Sequence, residues 1–394
     1  MSAPLKILHL SGDYPDPMRK PTTQAIKQTI AHLKHFDHMV ISMDRKSNPF
    51  KCYWVDCGKI ENAHVFAYGQ WGLKFGLGLF LSFFLTATYI YRKMNEQGYK
   101  PDMIHAHRMT FDGIAAYFLS KWWGVPYVLS VRAEVESKVF RFKPHYRWLM
   151  RRIAKNSGAI FYVSAFYRSA IEHYTNVDKK KGHPFPNIVT NVKPKIEPQK
   201  ATRGFVSIFN FAIYRKKGLL GLLPALEKAA NRYPDMTLDL VGQGSPRDIK
   251  KVKKIIEEHG LSDKVTVVGK LNHAELIERL PTYRAMVLPS HNETFGMVYT
   301  EALFGGVPIL YSKQSGIDGY LDGLNSGIGV DPNNGLEISK ALQTLWHNHA
   351  SFRHAIKTQS AEIHQRFDPQ FHITFYEAIA RDLTKLQRAK NDSV

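Results

Sequence analysis

Two carboxylates, Glu293 and Glu301, stand eight positions apart around Phe295-Gly296-Met297-Val298. Upstream, Ala285-Met286-Val287-Leu288-Pro289 predicts a short buried strand. Downstream, 295–304 predicts a helix ended by Gly305-Gly306. Glu293 then sits in the strand-to-helix turn and Glu301 two turns into the helix. The first N–H groups of a helix have no partners within it, so the start at Phe295, Gly296, Met297 and Val298 can meet a phosphate without a basic side chain. Carboxylates on either side can accept hydrogen bonds from vicinal hydroxyls. An anion cradle between two hydroxyl-binding carboxylates is what a nucleotide-linked sugar needs. The competing reading is a solvated helix face with a carboxylate at its N-terminus. The apolar strand before the pair and the Gly305-Gly306-Val307-Pro308 exit after it favour the first.

Other segments carry chemistry of lower specificity. Arg215-Lys216-Lys217-Gly218 lies between a predicted strand and helix, where a cation can face phosphate or simply be solvated. Val241-Gly242-Gln243-Gly244 lets backbone approach a ligand closely, although a plain tight turn has the same pattern. His105 and His107 point to one face of a regular strand. No third ligand is evident beside them, so a core or crevice-lining role outweighs a metal pair, and no metal is expected.

The elements that position these residues alternate. Strands are predicted at 5–10, 38–43, 102–107, 126–131 and 159–163, with a helix at 23–36. After a Lys- and Pro-bearing linker around 179–200, a second series follows. It has strands at 205–209, 236–241, 265–268, 285–289 and 308–311, helices at 218–231 and 249–259, a hairpin-like segment at 325–330, and helices from Ile338 onward. Alternation of this kind predicts an α/β fold with parallel, doubly wound sheets.

The residues quoted above resemble the Glu-x7-Glu signature of retaining glycosyltransferases of glycosyltransferase family 4. Asp102 to His107, Val163-Ser164 and Pro186-Asn187 resemble further turns of that family, so the likeness spans nearly the whole chain and is closer in its second half. It implies the GT-B fold, two Rossmann-like domains facing a central cleft. The expected boundaries are 1–195 for an acceptor domain and 196–370 for a nucleotide-sugar domain, with a helix in 371–394 crossing back to the first.

The resemblance also implies roles. Glu293 contacts the donor sugar and Glu301 its ribose. Lys217 neutralises the diphosphate, and Arg215 assists from a shifted place, because Phe211 and Ala212 stand where an Arg is expected. Gly242 and Gly244 border the nucleotide, and Lys270 lies beside the base. The donor, UDP- or GDP-linked, is a substrate, and no cofactor is implied. The acceptor side would include Gly12, His107, Glu134 and Glu136. Arg132 occupies the place of the family's His, and Arg cannot serve as a base at neutral pH. It would stabilise phosphate or anchor an acidic acceptor, leaving Glu134 or Glu136 to take the proton. Lys20-Pro21-Thr22-Thr23 replaces the usual Gly-Gly.

Charge divides the chain. Residues 1–200 hold 30 Lys and Arg against 14 Asp and Glu, whereas 201–394 hold 24 against 20. A basic first half suits an anionic membrane surface or a lipid-linked or oligosaccharide acceptor. Two segments agree: the apolar run 73–90, and 138–155, where basic and aromatic residues interleave. A spanning helix at 73–90 would tear the first domain apart, so a buried or membrane-dipping helix is expected. Cys52 and Cys57 are read as free thiols, and the expected location is cytoplasmic, peripheral on the inner face of the plasma membrane. The chemistry is therefore hexosyl transfer in polysaccharide or glycolipid assembly. A nucleotide-sugar 2-epimerase is the alternative enzyme. A basic nucleic-acid-binding protein is the alternative of another class, opposed by the lack of any nucleic-acid motif, so no nucleic acid is expected.

Overall fold

Short β-branched and aliphatic runs, each followed by a polar turn and an amphipathic stretch, produce strand–loop–helix units throughout. The computed structural model describes residues 3–19, 23–73, 77–189 and 201–392. The chain divides into two compact units, one of 1–163, 167–188 and 369–394, the other of 164–166 and 189–368.

The first unit begins with β1 (Leu5–Ser11), α1 (Ala25–His32), β2 (Phe36–Lys46), β3 (Tyr53–Ile60) and β4 (Ala63–Trp71). It continues with α2 (Leu79–Glu96), β5 (Met103–Ala106), α3 (Asp112–Trp123) and β6 (Tyr127–Val131). Next come α4 (Glu134–Phe142), α5 (Arg147–Asn156), β7 (Ala159–Tyr162), α6 (Arg168–Thr175) and β8 (Gly182–Pro184). Its sheet runs β3-β4-β2-β1-β5-β6-β7-β8, parallel except for the antiparallel β3–β4 pair.

Both faces of this sheet are covered, so its central strands are apolar on both sides. Side chains alternate across the sheet. Leu8, Leu10, Ile104, Ala106 and Leu129 enter the core under α2, α3 and α5. Ile7, Met103, Val128 and Phe161 enter the opposite core.

The second unit contains β9 (Arg203–Ile208), α7 (Leu219–Ala230), β10 (Leu238–Val241), α8 (Pro246–Glu258) and β11 (Val265–Gly269). It then adds α9 (His273–Arg279), β12 (Tyr283–Val287), α10 (Met297–Phe304), β13 (Ile309–Ser312), β14 (Gly327–Val330), α11 (Gly335–Thr358) and α12 (Ser360–Phe367). All neighbours in β11-β10-β9-β12-β13-β14 are parallel. The final helix, α13 (Pro369–Asp392), belongs to the first unit, where Ile373, Tyr376 and Ala380 close the second of its cores.

Two expectations for the second unit change. The segment 325–330 is no hairpin: Gly327 to Val330 pairs in parallel with β13 as the edge of the sheet. The helix predicted from Phe295 starts at Met297, because Gly296 is its N-cap at φ +77° and Phe295 is fully buried against Tyr320 and Phe367. Glu301 accordingly lies little more than one turn into the helix. The β3–β4 ribbon was not anticipated at all. Part of the 73–90 run, residues 74–76, and half of the predicted linker, 190–200, lie outside the described residues, while its first half includes β8.

Candidate active site

In a doubly wound sheet, ligands bind beyond the carboxyl ends of the strands, where the strand order reverses. In the second unit that point lies between β9 and β12. The loop after β9 carries Lys217 and the loop after β12 carries Glu293. The topology thus brings together residues 76 apart: Lys217 Nζ donates to Glu293 Oε2. Each is about one-sixth exposed, so the pair is desolvated in part yet reachable.

Gly218 permits this approach, and Gly242 a similar one between the loops after β10 and β9. At Gly218 (φ +74°) a Cβ would overlap the Pro289 carbonyl oxygen. At Gly242 (φ +156°) it would overlap that of Phe209. The loop after β13 holds Glu293 from behind. The Glu293 N–H donates to Ser315 Oγ at 2.8 Å, and the Gly316 N–H to the Glu293 carbonyl at 2.9 Å.

Glu301 is 6% exposed and meets His273 Nε2 at 3.2 Å. Burial pushes its carboxyl up, and His273 opposes the shift. His273 was not singled out from the sequence, since nothing local marks a partner 28 residues away. Met297 and Val298 are half-buried at the helix start. Of Phe295, only the backbone remains for a ligand. Gly244 precedes α8, whose first turn is fixed by the Ser245–Asp248 capping box. Arg215 is exposed and stacks on Tyr214, while Lys270 is exposed beyond β11.

The first unit has its own switch point between β1 and β5. Gly12 follows β1, and a Cβ there would press on Arg108, which ion-pairs with Asp13 through Nε at 2.8 Å from Oδ2. Below lie four buried imidazoles. The Leu33 carbonyl can only accept, so His38 donates to it from Nε2 at 2.6 Å. His38 Nδ1 then accepts from His9 Nε2 at 2.9 Å, and His9 Nδ1 accepts from His107 Nε2 at 3.1 Å. His107 Nδ1 is left as a bare acceptor among the described residues. His105 is held by Tyr376 at 3.1 Å and Ser130 at 2.8 Å.

Burial holds His9, His38, His105 and His107 below the usual range, His105 at about 3. Ring nitrogens of His9, His105 and His107 lie within 4.8 Å of one another, a third neighbour the sequence did not reveal. Hydrogen bonding already accounts for both nitrogens of His9 and of His105, so the cluster reads as a neutral network.

Arg132 is buried and donates to Asn187 Oδ1 at 3.3 Å. Burial pulls its guanidinium down and pushes the Glu136 carboxyl up. The charge of Arg132 also reaches His107. The side chain of Glu134 lies outside the described residues. Asp112, which no sequence motif marks, is almost fully buried, and burial raises it to about 7 against the pull of Arg108.

Two doubly wound α/β units, the second with a cation, two carboxylates and a helix start gathered at its switch point, define the GT-B class of fold. Residues 193–362 match the family model "Glycosyl transferases group 1", and residues 63–187 match "Glycosyl transferase 4-like domain". The chain belongs to the group 1 glycosyltransferases and is a glycosyltransferase enzyme.

Glycogen synthase of Mycobacterium tuberculosis is 21% identical to it over 327 residues, covering 79% of this chain and 76% of the relative. Sucrose-phosphate synthase from Thermosynechococcus elongatus has a similar fold, with a TM-score of 0.67 at 19% identity over 99% of this chain and 100% of that one. Anabaena HepE, solved with UDP-glucose, has a TM-score of 0.62 at 17% identity over 97% and 100% of the two chains.

Proposed function

We propose that this enzyme transfers a sugar, with retention of anomeric configuration, from a nucleotide-sugar to a lipid-linked acceptor at an anionic membrane surface. The Lys217–Glu293 pair at the β9/β12 switch point carries the reading. As the bond between sugar and diphosphate breaks, negative charge builds on the departing phosphate oxygen. The Lys217 ammonium and the N–H groups at the start of α10 stabilise that charge. Glu293 accepts hydrogen bonds from sugar hydroxyls, and Glu301, its charge steadied by His273, accepts those of the ribose. Protein groups supply the counter-charge, so the scheme uses no metal. The UDP-glucose held by Anabaena HepE makes a uridine diphosphate sugar the first donor to try.

The first unit takes the acceptor. Its basic surplus and the exposed Phe142 (70%) and Trp148 (58%) on α4 and α5 support a peripheral place at the inner membrane face and a role in glycolipid or polysaccharide assembly. Among the described residues no helix is long and apolar enough to cross a membrane.

The test is turnover with purified lipid acceptors and a panel of nucleotide-sugars, with the product's anomeric proton coupling read by NMR. Glu293→Gln and Lys217→Ala are expected to lower kcat on the order of 100- to 1,000-fold. Near-wild-type rates in both would remove the basis of the assignment. Conversion of the donor without any acceptor would point to epimerisation instead.

A further inference from the structure

The first unit holds a cavity of about 290 Å³ at the carboxyl ends of β1, β2 and β4. Its lining divides by chemistry. Met43, Leu73, Leu77, Leu79, Phe83 and Phe111 form an apolar wall, and Arg19, Asp44, Arg45, Arg108 and Asp112 lie on the polar side, with Asp44 ion-paired to Lys46 at 2.7 Å. Arg19 is occupied by Asp16 and by the carbonyls of Gly12 and Tyr14, and Arg108 by Asp13. Arg45 is exposed and has no ion pair among the described residues. The cavity therefore offers one unengaged cation at its rim beside a hydrocarbon surface.

The mouth continues into a track. Leu81 (53% exposed) and Leu85 (47%) are four residues apart on one face of α2, and Leu77 (62%) lies in the turn just before the helix. Phe84 and Trp122, whose rings are 5.9 Å apart, widen this face, and the exposed cations Arg92 and Lys121 border it. Leaving such a stripe in water is unfavourable, and a hydrocarbon layer bordered by anionic headgroups matches both its apolar centre and its basic margin.

We propose that this cavity takes the hydrocarbon chain of an anionic lipid acceptor, which enters along Leu81 and Leu85 of α2, past Leu77 at the mouth, and leaves its acidic group beside Arg45. The assignment rests on the reading that the first unit serves the acceptor, and it names that acceptor's class. A chain in the apolar half gains about fourfold in affinity for each methylene buried. The charge at Arg45 then selects an acidic head over a neutral one.

The experiment is calorimetric titration of the whole protein with alkyl phosphates of six to twelve carbons, below their micellar concentrations. Inorganic phosphate and a neutral dodecyl glucoside are the comparison ligands. One-to-one binding is expected, tightening with chain length until the cavity is full, with the glucoside weaker and inorganic phosphate showing no saturation. Leu77→Asp and Arg45→Glu, both at exposed positions, are expected to weaken dodecyl phosphate at least tenfold. Binding by both variants equal to wild type overturns the proposal. So does inorganic phosphate that binds as tightly as the alkyl ester, since the site would then read phosphate alone. UDP binding is measured in parallel. If UDP fails to bind while alkyl phosphate behaves as expected, the donor assignment falls and the cavity stands.

Discussion

At the scale of single residues, the division of labour between the two carboxylates is testable. Glu301 is buried against His273, whereas Lys217 pairs with Glu293, so Glu301→Gln is expected to raise the Kd for UDP about tenfold while leaving kcat nearly unchanged. Isothermal titration beside steady-state kinetics checks this, and a loss confined to kcat would move Glu301 to the reacting sugar. Asp112 gives a pH signature. Its carboxyl is raised from the ordinary 3.8 to about 7, so between those values the folded protein keeps a proton that the unfolded chain releases. The unfolded state then binds fewer protons, and this group's contribution to stability falls as pH rises through that window. The stability of Asp112→Asn relative to wild type should accordingly climb from pH 4 to 7 and level off above. Denaturant titrations at pH 4.5 and 7.5 decide it; a constant difference would show that Asp112 is ionised throughout. Residue types were legible in the sequence, partnerships less so. Lys217 and Glu293 could each be named from their turns. Their contact, like that of Glu301 with His273, depends on which loops the strand order makes adjacent.

At the scale of elements, legibility follows the strength of local signals. Strands β9, β10, β11, β12 and β13 are short apolar runs bounded by Gly, Pro or polar turns, and each was readable. The β3–β4 ribbon was not. Its reversal at Glu61-Asn62 lacks an Asn-Gly pair and places Glu61 at φ +55°, so no turn signal marks it. Helix α10 starts two residues later than its pattern predicts, because Phe295 fits a helical period while serving the core. Close loop approach makes glycine indispensable at one point in particular. Gly218→Ala must both hold a non-glycine residue at φ +74° and displace the Pro289 carbonyl. We expect it to cost at least about 3 kcal/mol of stability and to abolish turnover. A denaturation midpoint within experimental error of wild type would show that this loop yields more easily than the structure implies.

At the scale of the whole molecule, the uneven charge predicts where it resides. Vesicles containing anionic lipid should bind the protein and release it as salt rises, since each basic residue near such a surface contributes about 1 kcal/mol. Phe142→Ala with Trp148→Ala should weaken that binding without altering UDP affinity. Co-sedimentation with neutral and anionic vesicles measures it, and equal binding to both would leave the charge without a role.

The last helix has a different consequence. Tyr376 reaches the His105 ring, Arg388 Nη2 meets Asp102 Oδ1 at 2.7 Å, and Ile373 and Ala380 complete a core that begins with Ile7. During synthesis, everything the second unit needs up to Asp368 is made before that helix exists. At ordinary elongation rates the first unit would wait roughly 10–40 s, from residue 188 to residue 392, for its closing piece. The half of the molecule translated first is thus the half that finishes folding last. For that interval its apolar underside, with Phe161 and Phe185, is exposed to chaperones and to aggregation.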